Sequence, residues 1–268
     1  MFANARMYAL NPQIEALWRE LFAAVGAAAD APVEYLVHAA PAPLAALWHR
    51  GDLACAFICG FPWATWHDAE VARPLALAAP VPLGAPGPAT YHSDIVVRAE
   101  APFTDFDALL GRRMAWTVVE SQSGYQALRT WLAPRADGKA LFAATIGPLV
   151  TPRRVVEAVL AGEADAGPLD SYWHALLRRH EPGLAARLRV VAQTPSTPMP
   201  LLVVTATIDA PVRERWCAAL LDVGARADLR PVLEALQLQG FAAVDDASYQ
   251  TLAERAALAD RLGYTRLA

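Results

Sequence analysis

The chain has 268 residues, of which 55% are hydrophobic and 19% charged, enough apolar material for a substantial core and too much for a disordered chain. Lysine and arginine number 23 against 27 aspartates and glutamates, a net charge of −4, so no general attraction to nucleic acid or to an anionic membrane surface is expected. Three cysteines, Cys55, Cys59 and Cys217, are too few and too scattered for a disulfide framework or a zinc pattern.

The N-terminal stretch "MFANARMYALNPQIEALW" has no basic region followed by an unbroken apolar run, so it does not read as a signal peptide. The expected location is therefore the periplasm if a leader has been removed, and the cytoplasm otherwise. "ARMYAL" reads as a first strand. Asn11-Pro12 then opens a helix, with proline at the first helical position, and Ile14, Leu17, Trp18, Leu21, Phe22 and Val25 recur at helical spacing. "VEYLVHA" is a second strand, Leu44 to Arg50 a short helix ended by Gly51, and "LACAFICG" a third strand, apolar on both faces. Strand and helix in alternation predict a parallel sheet.

"PLALAAPVPLGAPGPAT" reads as an extended connector. It is followed by "YHSDIVVRAE", a strand with exposed polar positions. "FTDFDALLG" is a short helix capped by Thr104 or Asp105, "RRMAWTVVE" a strand, and Ser121-Gln122-Ser123-Gly124-Tyr125 the start of another helix. "TPRRVVEAVLAGEA" is an amphipathic helix, and "DAGPLDSYWHALLRRH" a short strand running into a helix. "LRVVAQTPSTPMPLLVVTATI" holds two strands around a proline-rich crossing. "VRERWCAALLDV", "LRPVLEALQLQG" and the tail "DDASYQTLAERAALADRLGY" read as helices. The two proline-marked connectors predict a middle lobe, residues 91–199, inserted into a first lobe made of residues 1–90 and 200–268.

The stretch "YHSDIVVRAEAPFTDFDALLGRRMAWTVVESQSGYQALRTWL" resembles the middle of the substrate-binding proteins of phosphonate-type ABC transporters. That family shows Tyr and Ser before an apolar strand, a short helix ending in L-x-G-(K/R)-(K/R), another strand, and an S-x-S-G turn. "VVEAVLAGEADAGPLDSYWHALL" is similar to its later V-x-x-G-x-(A/V)-D-x-G segment followed by (L/I)-D-S, and "TPSTPMPLLVV" to its return crossing. The motifs run from Tyr91 to Val204. The resemblance implies an α/β fold of two lobes joined by two crossing strands, similar to type II periplasmic binding proteins, with a ligand cleft between the lobes. It also implies a solute-binding component that closes its lobes over a small polar or anionic ligand, such as a phosphonate, another oxyanion or an organic acid.

A helix start offers unpaired N–H groups and partial positive charge, so Ser121, Gln122, Ser123, Gly124 and Tyr125 form a candidate cradle for an anion, with Gly124 allowing close approach. A serine helix cap without ligand is the commoner use of such a stretch. Asp170 and Ser171 stand at a strand end, where a carboxylate can accept hydrogen bonds from a ligand or cap the next helix, and the resemblance carries Asp170 over as a ligand contact. Tyr91 matches the family's tyrosine at the first crossing, as a ligand contact or as ordinary packing at the hinge, and Ser93 lies on the same strand face. Phe61 and Trp63 follow the third strand, either as an aromatic wall suited to an apolar or planar ligand or a cation, or packed under the connector. Thr151 and Pro152 stand where the family carries Ser and His, so a ligand-facing histidine is missing. Arg153 and Arg154 follow as candidate sources of charge.

His38, His49, His67, His92, His174 and His180 form no metal-ligand spacing, although His92 and His174 lie near the cleft segments. No catalytic motif, cofactor or metal is expected. The expected partners are a small-molecule ligand and a transporter permease, with no nucleic acid, and the chain is expected to be a monomer. An alternative on the same fold is a cytosolic enzyme acting on a small carboxylic acid, as in menaquinone biosynthesis. The missing leader favours the enzyme; the motif order and "GPLDSY" favour the binding protein. A sensory binding module is a third class, with no signalling segment attached.

Overall fold

The structure, a computed structural model, describes residues 1–68, 70–84 and 89–268. It divides into two compact units: residues 1–90 with 198–246, and residues 91–197 with 247–268. In chain order the first unit begins with β1 (Phe2–Asn4), α1 (Pro12–Ala28), β2 (Glu34–Tyr35), α2 (Ala45–Trp48), β3 (Leu53–Ile58), α3 (Gly60–Ala64) and β4 (Leu75–Pro82). The short strand β5 (Thr90–Tyr91) leads into the second unit, which holds β6 (Ser93–Arg98), β7 (Arg113–Ala115), α4 (Ala127–Ala136), β8 (Ala144–Ile146), α5 (Pro152–Leu160), β9 (Ala166–Asp170), α6 (Ser171–His180), α7 (Pro182–Ala185) and β10 (Leu188–Gln193). The strand β11 (Thr197–Pro198) leads back to β12 (Leu201–Val204), α8 (Ala210–Asp222), α9 (Arg230–Ala235) and β13 (Leu238–Ala242) of the first unit. The last helix, α10 (Asp246–Arg261), returns to the second. No helix among the described residues is long and apolar enough to cross a membrane.

The first unit is built on a six-stranded sheet in the order β13-β4-β12-β3-β1-β2. The expected parallel pairing holds for β1 with β2 and with β3. The strands β12 and β13 enter antiparallel, so the sheet is mixed. Every residue of β3 is buried. Phe57 sits between Tyr8 and Trp18, with ring centroids 4.9 and 5.1 Å away, both edge-on, an arrangement that favours aromatic pairs. Asn11 caps α1, its side chain accepting from the Ile14 N–H.

Several elements differ from expectation. The first strand is Phe2–Asn4, not residues 5–10, because the Asn4 side chain accepts from the Arg6 N–H at 2.9 Å and turns the chain. The segment expected as a connector is largely strand β4. Its Pro80 and Pro82 face β13 beyond the stretch that pairs with β12, so neither proline interrupts a ladder on both sides. Residues 85–88 of that segment lie outside the described residues. The helix expected through Gly240 stops at Ala235. Gln237 takes a left-handed conformation at φ 54°, and β13 begins at Leu238.

The second unit is a five-stranded sheet in the order β10-β6-β9-β7-β8. Its core includes Ile95, Val97, Leu109, Met114, Leu128 and Leu132, together with Ala259, Tyr264 and Leu267 from the tail. The tail had been expected in the first lobe. Its apolar residues complete the core of the second unit instead. The polar positions of "YHSDIVV", expected on the surface, are buried: Ser93 is 0% exposed and Asp94 1%.

Candidate functional site

The stretch after β7 folds back before entering α4. Ser121 has extended backbone angles and its hydroxyl accepts from the Gly124 N–H at 3.0 Å, the geometry of a helix N-cap. Residues Gln122–Gln126 then form one π-helical turn, closed by the Gln126 N–H donating to the Ser121 carbonyl at 3.0 Å, and run into α4. Single π turns are frequent where a helix is adapted to bind. All five residues of the turn are buried.

Gly124 is required here by packing within the chain. A Cβ at this position would lie 2.0 Å from the Thr117 Oγ1 and 2.9 Å from the Ser121 Oγ. The space expected to admit a ligand beside the glycine is occupied by Thr117, whose backbone N–H donates to the Gly124 carbonyl at 3.2 Å.

Ser123 is where three elements meet. Its carbonyl accepts from the Ser93 hydroxyl at 2.8 Å, and its own hydroxyl stands 3.5 Å from the Asp170 Oδ2, a long contact. Ser93 and Asp170 are direct cross-strand partners of β6 and β9. The other oxygen of Asp170 accepts from the N–H groups of Tyr172 and Trp173, at 2.9 and 3.0 Å, so the carboxylate caps α6. Burial, and then the charge of Asp170, hold the Tyr172 phenol well above its usual pKa. The Ser171 N–H donates to the His92 carbonyl at 2.9 Å, and its hydroxyl accepts from the His92 N–H at 3.2 Å, joining the first residue of α6 to the entry of β6. Tyr91, just before, is buried.

Not every expected residue joins this group. Tyr125 belongs to the core of the second unit, its ring edge-on to Trp116 at 5.1 Å and its hydroxyl accepting from the Leu267 N–H at 2.9 Å. Gln122 is buried in the same turn. Thr151 caps α5, its hydroxyl accepting from the Arg154 N–H at 3.3 Å. Arg153 is engaged by Glu181 through two contacts of 2.7 Å, and that pairing raises its pKa, so its charge is already neutralised. Arg154 is exposed beside Glu157. Phe61 and Trp63 lie on α3 of the first unit. The Trp63 ring is not an open wall: the Arg73 guanidinium stands 3.6 Å from its centroid, and its indole N–H donates to the Asp246 Oδ1 at 2.9 Å.

Asp94, next to Ser93 on β6, is not among the expected site residues. Its carboxylate receives the His174 Nδ1 at 2.7 Å, the His92 Nε2 at 3.2 Å and the Gln193 Nε2 at 2.9 Å, and the Arg178 guanidinium stands 3.7 Å away. Burial by itself pushes the carboxyl pKa upward. The hydrogen bonds from His174, His92 and Gln193 together outweigh it, and the pKa falls well below the ordinary carboxylate range. The signal was an acid inside an apolar strand with a histidine beside it. Among the described residues, no group of three or more His, Cys, Asp or Glu side chains is arranged to hold a metal ion.

Chemically, the turn offers backbone N–H groups and hydroxyls at a helix start, which suit an oxyanion, and Asp170 offers an acceptor beside them. Residues 8–249 match a family described as the periplasmic substrate-binding protein of phosphonate ABC transporters. No curated protein matches the chain. Among solved structures, the binding protein of an ABC phosphonate transporter from Pseudomonas aeruginosa superposes with a TM-score of 0.79 at 18% identity, over 97% of this chain and 87% of that one. PhnD1 from Prochlorococcus marinus, in complex with methylphosphonate, gives 0.76 at 15% identity over 97% and 98%. MatC from Rhodopseudomonas palustris, with bound malate, gives 0.62 at 14% over 98% of both. At these identities the likeness is one of fold: two α/β lobes of the type II periplasmic binding protein kind. The family binds solutes for transport rather than transforming them, which removes the enzyme alternative, and its model spans most of the sequence: the chain belongs to the phosphonate-type substrate-binding proteins of ABC transporters.

Proposed function

We propose that this chain captures a small oxyanion at the second unit and presents it to a transporter permease, working as a monomer in the periplasm. The observation that carries the reading is the meeting of the Ser121–Gly124 turn with Ser93 and Asp170, which brings a helix start, hydroxyls and one carboxylate together. Backbone N–H groups of the turn take the anion's oxygens, with the hydroxyls of Ser121 and Ser123 beside them. Asp170 accepts a proton-bearing group of the ligand. Tyr91 and Ser171 flank these groups, while Gln122, Gly124 and Tyr125 shape the turn.

The ligand class is a small phosphonate or organic acid. Methylphosphonate in the Prochlorococcus relative and malate in MatC are both oxyanions of that size. The charge count narrows it. Pro152 stands where the family carries a histidine, and Arg153 is neutralised by Glu181, so neither adds a positive charge. A singly charged anion fits better than a doubly charged one.

The test is a thermal-shift and calorimetric screen over methylphosphonate, phosphite, inorganic phosphate, methanesulfonate and malate. A ligand that binds only the folded chain raises its melting temperature, by mass action. At least one of these is expected to do so, and Ser123→Ala combined with Asp170→Ala is expected to abolish the shift while the fold persists. A screen without any shift, or a hit that is consumed on incubation, overturns the reading.

A further inference from the structure

We propose that Asp94, locked by His174, is the positioning residue that holds Ser93, Ser123 and Asp170 in register; the proposal rests on the reading that these three belong to the binding site. Ser93 and Asp94 are consecutive on β6, and consecutive strand residues point to opposite faces. One face carries the Ser93 hydroxyl to the Ser123 carbonyl. The other carries the Asp94 carboxylate to His174, in the first turn of α6.

That turn begins at Asp170, whose oxygen is spent on the N–H groups of Tyr172 and Trp173. The position of Asp170 relative to Ser93 therefore depends on where the first turn of α6 sits against β6. Two hydrogen bonds between His92 and Ser171, one between backbone groups and one from the His92 N–H to the Ser171 hydroxyl, fix one point of that contact. The bond from His174 to Asp94 fixes a second, one helical turn farther along. Gln193, the register partner of Asp94 on β10, fixes the strand on its other side. Four groups face the carboxylate: His92 from the start of its own strand, His174 and Arg178 from α6, and Gln193 from β10. Each is a donor, so one anion gathers three elements at the end of the sheet where the candidate ligand contacts stand. A buried carboxylate with that many donors holds a geometry more tightly than an apolar contact of the same size, because each partner would be left unpaired if it moved.

The experiment is residue-resolved hydrogen exchange on the whole chain, free and with methylphosphonate. Asp94→Asn places an amide N–H₂ among four donors. The amides of Tyr172, Trp173 and Gly124 are expected to lose protection by about tenfold, while the amides of Val155 in α5 and of Ala161 at its C-cap, in the same unit, keep theirs. A uniform loss across the second unit, or no loss, overturns the proposal, because a contribution to overall stability alone lowers all of them together. His174→Ala is expected to reproduce the local loss, and His174→Asn, which keeps a donor near the place of Nδ1, to restore it in large part. If both histidine variants behave alike, the positioning role is lost. Should the parent chain fail to bind methylphosphonate, that result counts against the oxyanion reading, while the exchange pattern of the free chain still decides the role of Asp94.

Discussion

The hydroxyl of Tyr125 accepts a hydrogen bond from the backbone N–H of Leu267 at 2.9 Å, across 142 residues of sequence. The turn that opens α4 is thereby fastened to the end of the chain. Both groups are buried, so neither has water as a substitute partner. Tyr125→Phe is expected to lower the unfolding free energy by about 1–2 kcal/mol, since it strands a buried N–H while leaving the ring in place. Urea unfolding followed by tryptophan fluorescence measures this, and a loss near zero would mean that the amide finds another acceptor.

Arg129 makes the second attachment. It is 3% exposed, and its guanidinium donates to the Asp260 carboxylate at 2.8 Å, the Tyr264 carbonyl at 2.9 Å and the Gln126 side chain at 2.9 Å. Arg129→Met keeps the stem and removes every donor. A cost of about 2–4 kcal/mol is expected, and it should appear mainly as faster exchange of the α10 amides, because that helix loses its anchor. Equal exchange in α10 before and after the substitution would contradict the assignment.

Gly124 and Thr117 form a pair that can be tested as a cycle. Gly124→Ala is expected to cost about 1–3 kcal/mol by overpacking against the Thr117 side chain. The Thr117 hydroxyl is buried and has no hydrogen-bond partner among the described residues, so Thr117→Ala by itself should cost little. Combining them relieves the collision, and the double variant should recover most of the stability lost in Gly124→Ala. Additive losses from thermal melts would show that the glycine is needed for some other reason.

Asp94 predicts a pH dependence whose sign follows from its lowered pKa. Unfolded, an aspartate titrates near about 3.9, and in the folded chain its proton is bound only at lower pH. As pH falls, the unfolded state takes up the proton first. The stabilisation from Asp94 is therefore complete above about pH 5 and drains away as the pH drops through about 4 toward the folded value. Asp94→Asn should flatten that part of the stability curve, and its deficit relative to the parent chain should shrink with acidification. Parallel curves between about pH 5 and pH 2 would exclude this role.

Much of the α/β alternation can be read from local signals. Asn11-Pro12, Thr151-Pro152 and Asp170-Ser171 all mark helix starts, since capping chemistry lies within four residues of sequence. The strand β3 was equally legible from its unbroken apolar run. What escaped depends on distant partners. The strand β4 resembles a linker until β12 and β13 are present to pair with it. The tail is an amphipathic helix whose sequence does not say which core it completes. At the site, the serines and Asp170 stood out by motif, whereas Asp94 was hidden because, His92 apart, its donors come from distant residues 174 and 193. That Arg73 lies over the Trp63 ring is hidden in the same way, because nothing local reveals it.

The return of residues 247–268 to the second unit sets the order in which that unit can be completed during synthesis. Its sheet is finished by residue 193, yet Ala259, Tyr264 and Leu267, which fill its core, follow only after residues 198–246 have been made. At about 5–20 residues per second, that leaves roughly four to fifteen seconds in which the apolar surfaces around Leu128 and Leu132 wait without their full cover. A nascent chain in that interval is a substrate for whatever binds exposed apolar helices, and the half-made unit is where a holding chaperone would find its grip.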